Sequence, residues 1–465
     1  MSAAAFPRRD SDSVALRVKI DDRTAQIAVM GLGYVGLPLA AALARAGFPV
    51  VGIDISIERV SSLRRGESYI GDVPSLELSP LLQSGRLRAT CDMGEIGNVD
   101  AIIICVPSPL QHNKAPDLSY IISSARQISG HLKKGQLVIL QSTTYPGTTE
   151  EDVLPILEES GLKAGVDFHL AFCPERINPG DRKHTVSSTP KVVGGVSPIC
   201  GDLACRLFEA ICPDVYPVSS PRAAEMTKLL ENTFRAVNIA LVNEMAMLCE
   251  RMGMDVWEVI AAASTKPFGY MPFFPGAGVG GHCIPVDPFF LLWKAREYDF
   301  HTKFIELAAE VNESMPYHTV SKVVEALNSR SKSIKDSHIL VLGVTYKADV
   351  EDARNSPAPR VIELLLAMGA DVTYSDPYVP HLQLGDDGRL ARGRRLDSAP
   401  ADQDRLDWAD CVVIITAHSL FDVPGIVGRA RLVVDTCNAT ASAGEAAGKV
   451  FKLGVGDVPR DALRA

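Results

Sequence analysis

The residue with the most chemical promise is Cys283, set in Pro275-Gly-Ala-Gly-Val-Gly-Gly-His-Cys-Ile-Pro-Val-Asp-Pro288. Gly276, Gly278, Gly280 and Gly281 carry no side chains, so the backbone there is expected to curl closely around a bulky anionic or sugar group. A thiol that follows such a run and precedes Pro285 is placed for attack on an electrophile. Asp287, four residues on, can poise a water or a proton beside it. The competing reading is a small buried hydrophobe, the common fate of a free cysteine. His282 is not read as the base of that thiol, because adjacent residues in an extended loop point apart; a role in shaping the substrate pocket is expected instead.

Chemistry at a cysteine needs a partner, and the start of the chain supplies one. After Gln26 the sequence Ile-Ala-Val-Met-Gly-Leu-Gly-Tyr-Val-Gly runs a short apolar strand into Gly31, Gly33, Tyr34, Val35 and Gly36, followed by a helix to Ala46 and a second strand ending at Asp54. Glycines between strand and helix, with an acid about 20 residues on, form the dinucleotide fingerprint. The glycines let a pyrophosphate approach the helix N-terminus, where free N–H groups favour negative charge. Asp54 would accept hydrogen bonds from the adenosine ribose and repel a 2′-phosphate, favouring NAD over NADP. Arg59 is the counter-signal, since an arginine there can accommodate that phosphate.

The α/β alternation continues through a buried strand ending at Pro107 and Ser108 and another ending at Thr143 and Thr144. Ligands in open parallel sheets bind beyond the carboxyl ends of strands, which puts Pro107, Ser108 and Thr143 beside the nicotinamide half; ordinary turn chemistry is the alternative. A further strand delivers Pro174-Glu175-Arg176, with Glu175 a candidate acid or base, or else a surface ion pair. Ser220 and Pro221 then open a helix whose apolar periodicity runs from Met226 to Leu248 and stops at Gly253. About 30 residues make a rod of roughly 45 Å, long enough to join two domains. Lys228 and Asn232 share one face of it, and Glu225, Arg235 and Asn238 extend a polar stripe that on most helices is simply solvated.

Composition narrows the class. The 465 residues carry a net charge of −9, with 46% hydrophobic side chains, so two or three cores are affordable and a nucleic-acid partner, which needs a basic footprint, is not expected. The ten cysteines lack paired spacing, as suits a reducing cytoplasm. No run approaches a membrane span, and residues 1–23, mixed small and charged, read as a mobile tail without a secretory signal.

Taken together, Gly31-x-Gly-Tyr-Val-Gly36, Pro174-Glu175-Arg176, Glu225-x-x-Lys228-x-x-x-Asn232 and Gly280-Gly-His-Cys-Ile-Pro-Val-Asp287 resemble the nucleotide-sugar 6-dehydrogenases, the UDP-glucose/GDP-mannose dehydrogenase family, in order and over nearly the whole chain after residue 24. The resemblance implies four-electron oxidation of a sugar C6 alcohol to a carboxylate with two NAD per turnover. It makes Cys283 the nucleophile that captures the intermediate aldehyde as a thiohemiacetal and then holds it as a thioester. It gives Lys228 an oxyanion-stabilising charge, Asn232 the orientation of a sugar oxygen or water, and Asp287 and Glu175 the proton movements and thioester hydrolysis, without dividing the steps between them. Thr143 would stand near the nicotinamide. The His-Cys-Ile-Pro-Val-Asp form is similar to the N-acetylhexosamine branch, which favours UDP-N-acetylglucosamine over UDP- or dTDP-glucose and GDP-mannose. Tyr270, in an aromatic run more often found in a core, is a candidate for stacking on the base. Gly276 and Gly280 would line the substrate.

After a polar connector at 328–336, strands and a helix restart from His338 as a weak repeat of the opening fold. It lacks GxGxxG, so no second NAD site is expected. By resemblance this region binds the sugar nucleotide, with Lys347 on the substrate and Arg354 on the cofactor side of a cleft, neutralising pyrophosphate charge, surface charge being the alternative for both; residues 382–405 read as an exposed loop. The expected architecture is α/β, two Rossmann-like doubly wound domains joined by a long central helix and a helical middle region. Its parts are 24–218 for NAD, 219–328 for the long helix and cysteine loop, and 337–465 for the sugar nucleotide. As in that family, the long helix is expected to form a homodimer contact. The rival readings are a two-electron hydroxyacid dehydrogenase, which needs no cysteine, and a non-catalytic NAD-binding regulator.

Overall fold

The structure is a computed structural model that describes residues 11–177, 185–385, 393–443 and 448–456. It divides into two compact units, Met1–Glu231 and Asn232–Ala465.

The first unit is built on an eight-stranded sheet of β1 (Ile27–Met30), β2 (Val50–Ile53), β3 (Leu87–Thr90), β4 (Ala101–Ile104), β5 (Leu137–Leu140), β6 (His169–Phe172), β7 (Lys191–Gly195) and β8 (Val215–Val218). Their spatial order is β3-β2-β1-β4-β5-β6-β7-β8, parallel throughout except where β7 runs antiparallel to β6. The first six strands therefore have the doubly wound order whose reversal point, between β1 and β4, is where dinucleotides bind. Side chains alternate along a strand, and here both faces are apolar. Ile27 and Val29 pack into one buried cluster, Ala28 and Met30 into another.

The expectation of a mobile tail over 1–23 is corrected for the described part. Ser11–Asp21 is an α-helix whose Leu16 and Ile20 are buried in the same cluster as Leu203 and Leu207 of the helix Pro198–Glu209, and Arg17 pairs with Asp202. Its apolar residues sit four apart, one turn, which a composition-based reading of mixed residues overlooked.

The second unit carries a parallel sheet of β9 (His338–Leu342), β10 (Asp371–Ser375), β13 (Cys411–Ile414), β14 (Val433–Asp435) and β15 (Val450–Lys452) in the order β10-β9-β13-β14-β15. Residues 382–405 are not simply a loop: β11 (His381–Gln383) pairs antiparallel with β12 (Arg395–Asp397) and a helix starts at Gln403, while 386–392 lie outside the described residues. The long helix is one 32-residue element, Pro221–Met252, with Ser220 Oγ accepting from Ala223 N–H at 3.2 Å. The helix Lys303–Asn328 follows the cysteine loop and the short helix Asp287–Ala295.

The repeat seen faintly in sequence has a structural signature. Leu32 N–H donates to Asp54 Oδ2 at 2.8 Å in the first unit, and Val344 N–H donates to Asp376 Oδ2 at 2.7 Å in the second, each one residue after a left-handed glycine, Gly31 or Gly343. In the second unit His418 takes the remaining reach of that acid. Its Nδ1 accepts Asp349 N–H at 3.0 Å, which leaves Nε2 to donate to Asp376 Oδ2, 3.0 Å away. An imidazole thus occupies the carboxylate that a ribose would need.

Candidate active site

In the first unit, Gly31 at φ 88° and Gly36 are dictated by the chain itself: a Cβ on Gly31 would stand 2.6 Å from Cys105 O, and one on Gly36 1.8 Å from Gly31 O. Gly33 differs, because a Cβ there would meet nothing within 4 Å. The cradle before the helix Gly36–Arg45 is therefore open where a diphosphate would approach. Val35 is the residue before that helix and Tyr34 is exposed beside it. Asp54, at the end of β2, also accepts Ser56 N–H at 2.8 Å, and Arg59 lies 3.3 Å from its Oδ2. That pairing occupies the arginine that could otherwise accept a 2′-phosphate. These residues fit NAD. Pro107 and Ser108 follow β4, and Ser142 Oγ donates to Val106 O at 2.7 Å to fix the turn between them. Sequence reasoning missed Tyr69, whose hydroxyl donates to Leu32 O at 2.7 Å and steadies the glycine turn.

The first turns of the long helix hold the segment after β5. Glu225, expected on a solvated stripe, is buried; it accepts Gly147 N–H at 2.6 Å, Thr149 N–H at 2.9 Å and Thr149 Oγ1–H at 2.7 Å. Burial raises its pKa, with those donors opposing. Lys228, 7% exposed, donates from Nζ to Thr143 Oγ1 at 2.5 Å, so two residues singled out in sequence 85 positions apart are brought together.

Glu175 proves to be neither a surface pair nor an accessible acid. Lys191 Nζ donates to both its oxygens at 2.9 Å, Gln141 Nε2 at 2.7 Å, and the N–H groups of Arg176 and Ile177 at 2.8 and 3.2 Å. Burial alone would raise its pKa, but the Lys191 charge and these hydrogen bonds hold it below the ordinary value, so it is a fixed anion at neutral pH. That ionised state and the five hydrogen bonds around it disfavour Glu175 as a proton-donating acid. Arg176 is itself clamped by Glu231, through Nη2 at 2.6 Å and Nε at 3.1 Å. Lys191 and Gln141 were not foreseen; a lysine opening the apolar run Lys-Val-Val-Gly-Gly was the available signal.

In the second unit, Asn232 Nδ2 donates to Asp287 Oδ2 at 2.6 Å, and Asp287 N–H donates to Cys283 O at 2.8 Å. Asp287 is buried and Cys283 half-buried. The glycines before the thiol correct an expectation. They serve close packing against the chain's own segment 346–357: a Cβ on Gly280 would lie 2.7 Å from Tyr346 Cβ and 2.9 Å from Asn355 O, and one on Gly281 3.1 Å from the Tyr346 ring. Gly276 is the looser one, its nearest such neighbour being Thr436 O at 3.9 Å. His282 Nε2 sits 3.3 Å from Asp352 Oδ2, with its ring edge-on to Tyr346. Burial lowers the His282 pKa, aided by Arg354 and opposed by Asp352, so the ring is neutral at neutral pH and cannot be the imidazolium of a thiolate pair. Arg354 is exposed and bonded through Nε and Nη2 to Asp352, both at 3.0 Å, while Lys347 is half-buried with its carbonyl accepting Thr345 Oγ1–H at 2.8 Å. Tyr270 is exposed, as are Phe268, Met271 and Phe274, so this aromatic run is not core.

A doubly wound NAD cradle in the first unit marks a dinucleotide-dependent oxidoreductase, and in the second unit the backbone of Cys283 is held through its carbonyl by Asp287 N–H while the Asp287 carboxylate accepts from Asn232. The sequence comparisons agree. The NAD binding, central and UDP binding domains of the UDP-glucose/GDP-mannose dehydrogenase family match residues 25–212, 222–314 and 340–442, and the chain belongs to that family. It is 40% identical to the UDP-N-acetyl-D-glucosamine 6-dehydrogenase of Pseudomonas aeruginosa over 76% of this chain and 83% of that protein. With the NDP-N-acetyl-D-galactosaminuronic acid dehydrogenase of Ralstonia nicotianae it shares 36% identity over 90% of this chain and 96% of the relative. Among solved structures, the UDP-D-ManNAc dehydrogenase of Pyrococcus horikoshii superposes with a TM-score of 0.84 at 34% identity, covering 93% of this chain and all of that one. The protein is an NAD-dependent nucleotide-sugar dehydrogenase. Among the described residues no helix is long and apolar enough to cross a membrane.

Proposed function

We propose that this enzyme oxidises the C6 hydroxyl of UDP-N-acetyl-D-glucosamine to the carboxylate in two hydride-transfer steps, with Cys283 as the covalent relay. The observation that carries this is a pair of hydrogen bonds at Asp287: its buried carboxylate accepts from Asn232 on the long helix, and its backbone N–H donates to the carbonyl of Cys283, so the residue bearing the thiol is tied by its backbone to an anchored carboxylate residue. Gly31, Gly33, Tyr34, Val35, Gly36 and Asp54, with Pro107 and Ser108 after β4, would hold NAD, which would supply the hydride acceptor for each step, and Arg354 is assigned to the cofactor by the family resemblance. The residues of the chain do the rest. Lys228 holds positive charge against the C6 oxygen as its proton leaves, and Thr143, bonded to it, keeps the ammonium in place. The Cys283 sulfur adds to the aldehyde carbon, forming a C–S bond and an alkoxide; loss of the remaining hydride leaves a thioester. Water, oriented by Asn232 and relieved of its proton by Asp287, then cleaves the C–S bond and releases the acid and the thiol. Glu175, ionised and pinned, fixes the segment 174–177 rather than carrying protons.

The choice of sugar is supported by His282-Cys-Ile-Pro-Val-Asp287 and by a 40% identical relative named for UDP-N-acetyl-D-glucosamine. Lys347, Tyr270 and Gly276 are assigned to the nucleotide sugar. Met226, Leu230, Phe234, Leu241, Leu248 and Met252 are exposed along one stripe of the long helix, and we assign that stripe to a homodimer contact with a second copy. We assign the protein to the cytoplasm, a reading supported by ten cysteines none of which is in a disulfide.

Incubation with NAD and a panel of UDP-N-acetylglucosamine, UDP-N-acetylmannosamine, UDP-N-acetylgalactosamine and UDP-glucose tests the reading. The highest kcat/KM, with uronic acid as product, is expected for the first. A higher value for any other overturns the sugar assignment, and aldehyde as the final product overturns the mechanism.

A further inference from the structure

Between residues 275 and 286 the chain forms neither helix nor strand, yet this stretch has to present one sulfur reproducibly. Its entry is held by a relay of amides. Gly276 N–H donates to Asn243 Oδ1 at 3.0 Å, Asn243 Nδ2 donates to Asn312 Oδ1 at 3.0 Å, and Asn312 Nδ2 donates to Ala236 O at 3.1 Å. The relay starts at a group that can only donate and ends at one that can only accept, so the orientation of both amides is forced. Asn243 is fully buried on the long helix and Asn312 is buried on Lys303–Asn328. The middle of the loop, just before the thiol, has its own tether. Asn355, at φ 53°, donates from Nδ2 to Gly281 O at 3.2 Å, two residues before the thiol.

Apolar side chains of similar size would have filled the space between the two helices without the risk of an unpaired buried amide. What the amides add is direction: each fixes one backbone group of the loop to a rigid element. We propose that Asn243, Asn312 and Asn355 are positioning residues that set the Cys283 sulfur from the entry and the middle of its loop. The inference rests on Cys283 being the nucleophile.

Two full-length variants isolate the effect. Asn243→Asp keeps the size and the acceptor for Gly276 but loses the donor to Asn312. Asn355→Gly keeps the left-handed backbone and removes only the tether. For each, kcat and both KM values are measured, together with alkylation of Cys283 by iodoacetamide, mapped by peptide mass and referenced to the exposed Cys91. A fall in kcat of about tenfold or more, with KM within about threefold and the Cys283-to-Cys91 alkylation ratio changed at least about threefold, is expected from a displaced reacting atom. An unchanged ratio with kcat within about twofold in Asn355→Gly overturns the proposal, whatever happens to the melting temperature. If Asn243→Asp does not fold, Asn355→Gly alone decides. Cys283→Ala separates the two claims: if it still makes acid, the nucleophile assignment fails, and the alkylation ratio alone then judges the tethers.

Discussion

At the scale of single residues the buried pair Glu175–Lys191 is the most constrained feature of the first unit. Removing the cation in Lys191→Met leaves a buried carboxylate without its charge partner and is expected to cost about 3–5 kcal/mol in a denaturant titration. The pair also sets a pH window. The Glu175 carboxyl, pulled down by Lys191 against the effect of burial, titrates below its ordinary value of 4.5, so the unfolded chain takes up that proton first as pH falls. Its stabilisation is complete above that value and is lost as pH falls through the folded pKa. Lys191, lowered by burial but raised further by Glu175, titrates above its ordinary 10.5; its contribution is full below that value and is lost as pH rises through the folded pKa. Unfolding free energy measured against pH should fall at both ends in the wild type, and both losses should be smaller in Lys191→Met. Lys228→Met is expected to lower kcat about 10²–10³-fold while the protein still folds. Residue types were readable here, but partners were not: Glu175 declared itself by following a strand, whereas Lys191 and Gln141 reach it only through the sheet.

At the scale of elements the glycines divide into two kinds, and substitution tells them apart. Gly36→Ala would force a Cβ against Gly31 O at 1.8 Å and Gly280→Ala one against Tyr346 Cβ at 2.7 Å, so both should destabilise, by about 1–3 kcal/mol or more for overpacking. Gly33→Ala meets no protein atom, so the melting temperature should hold while affinity for NAD, measured by calorimetry, falls. Loss of stability with intact NAD binding in Gly33→Ala would contradict an open diphosphate cradle. The strand, glycine turn and acid of the NAD cradle were legible because they are local, within 27–54. The glycine run before Cys283 was legible as a close approach but not as to what approaches, since Tyr346 and Asn355 lie about seventy residues further on. The helix Ser11–Asp21 was missed because only Leu16 and Ile20 mark its buried face.

At the scale of the whole molecule, the exposed stripe from Met226 to Met252 predicts self-association. Leu241→Asp should shift the mass found by light scattering from two copies to one without lowering the melting temperature of the isolated subunit. A wild-type mass of one copy would remove the assignment. The parallel sheets and the long helix followed from periodicity and glycine placement, while the strand order and the His418 plug in the second unit did not, the plug being a contact between strand ends 42 residues apart. The relay at Cys283 predicts a stoichiometry that no two-electron dehydrogenase shares. NADH released is to be counted against UDP-N-acetylglucosamine consumed, in wild type and in Cys283→Ala. Two NADH per sugar in the wild type, with acid formation abolished in the variant, is the expected result; one NADH per sugar, or two in the variant, would contradict the cysteine-borne intermediate.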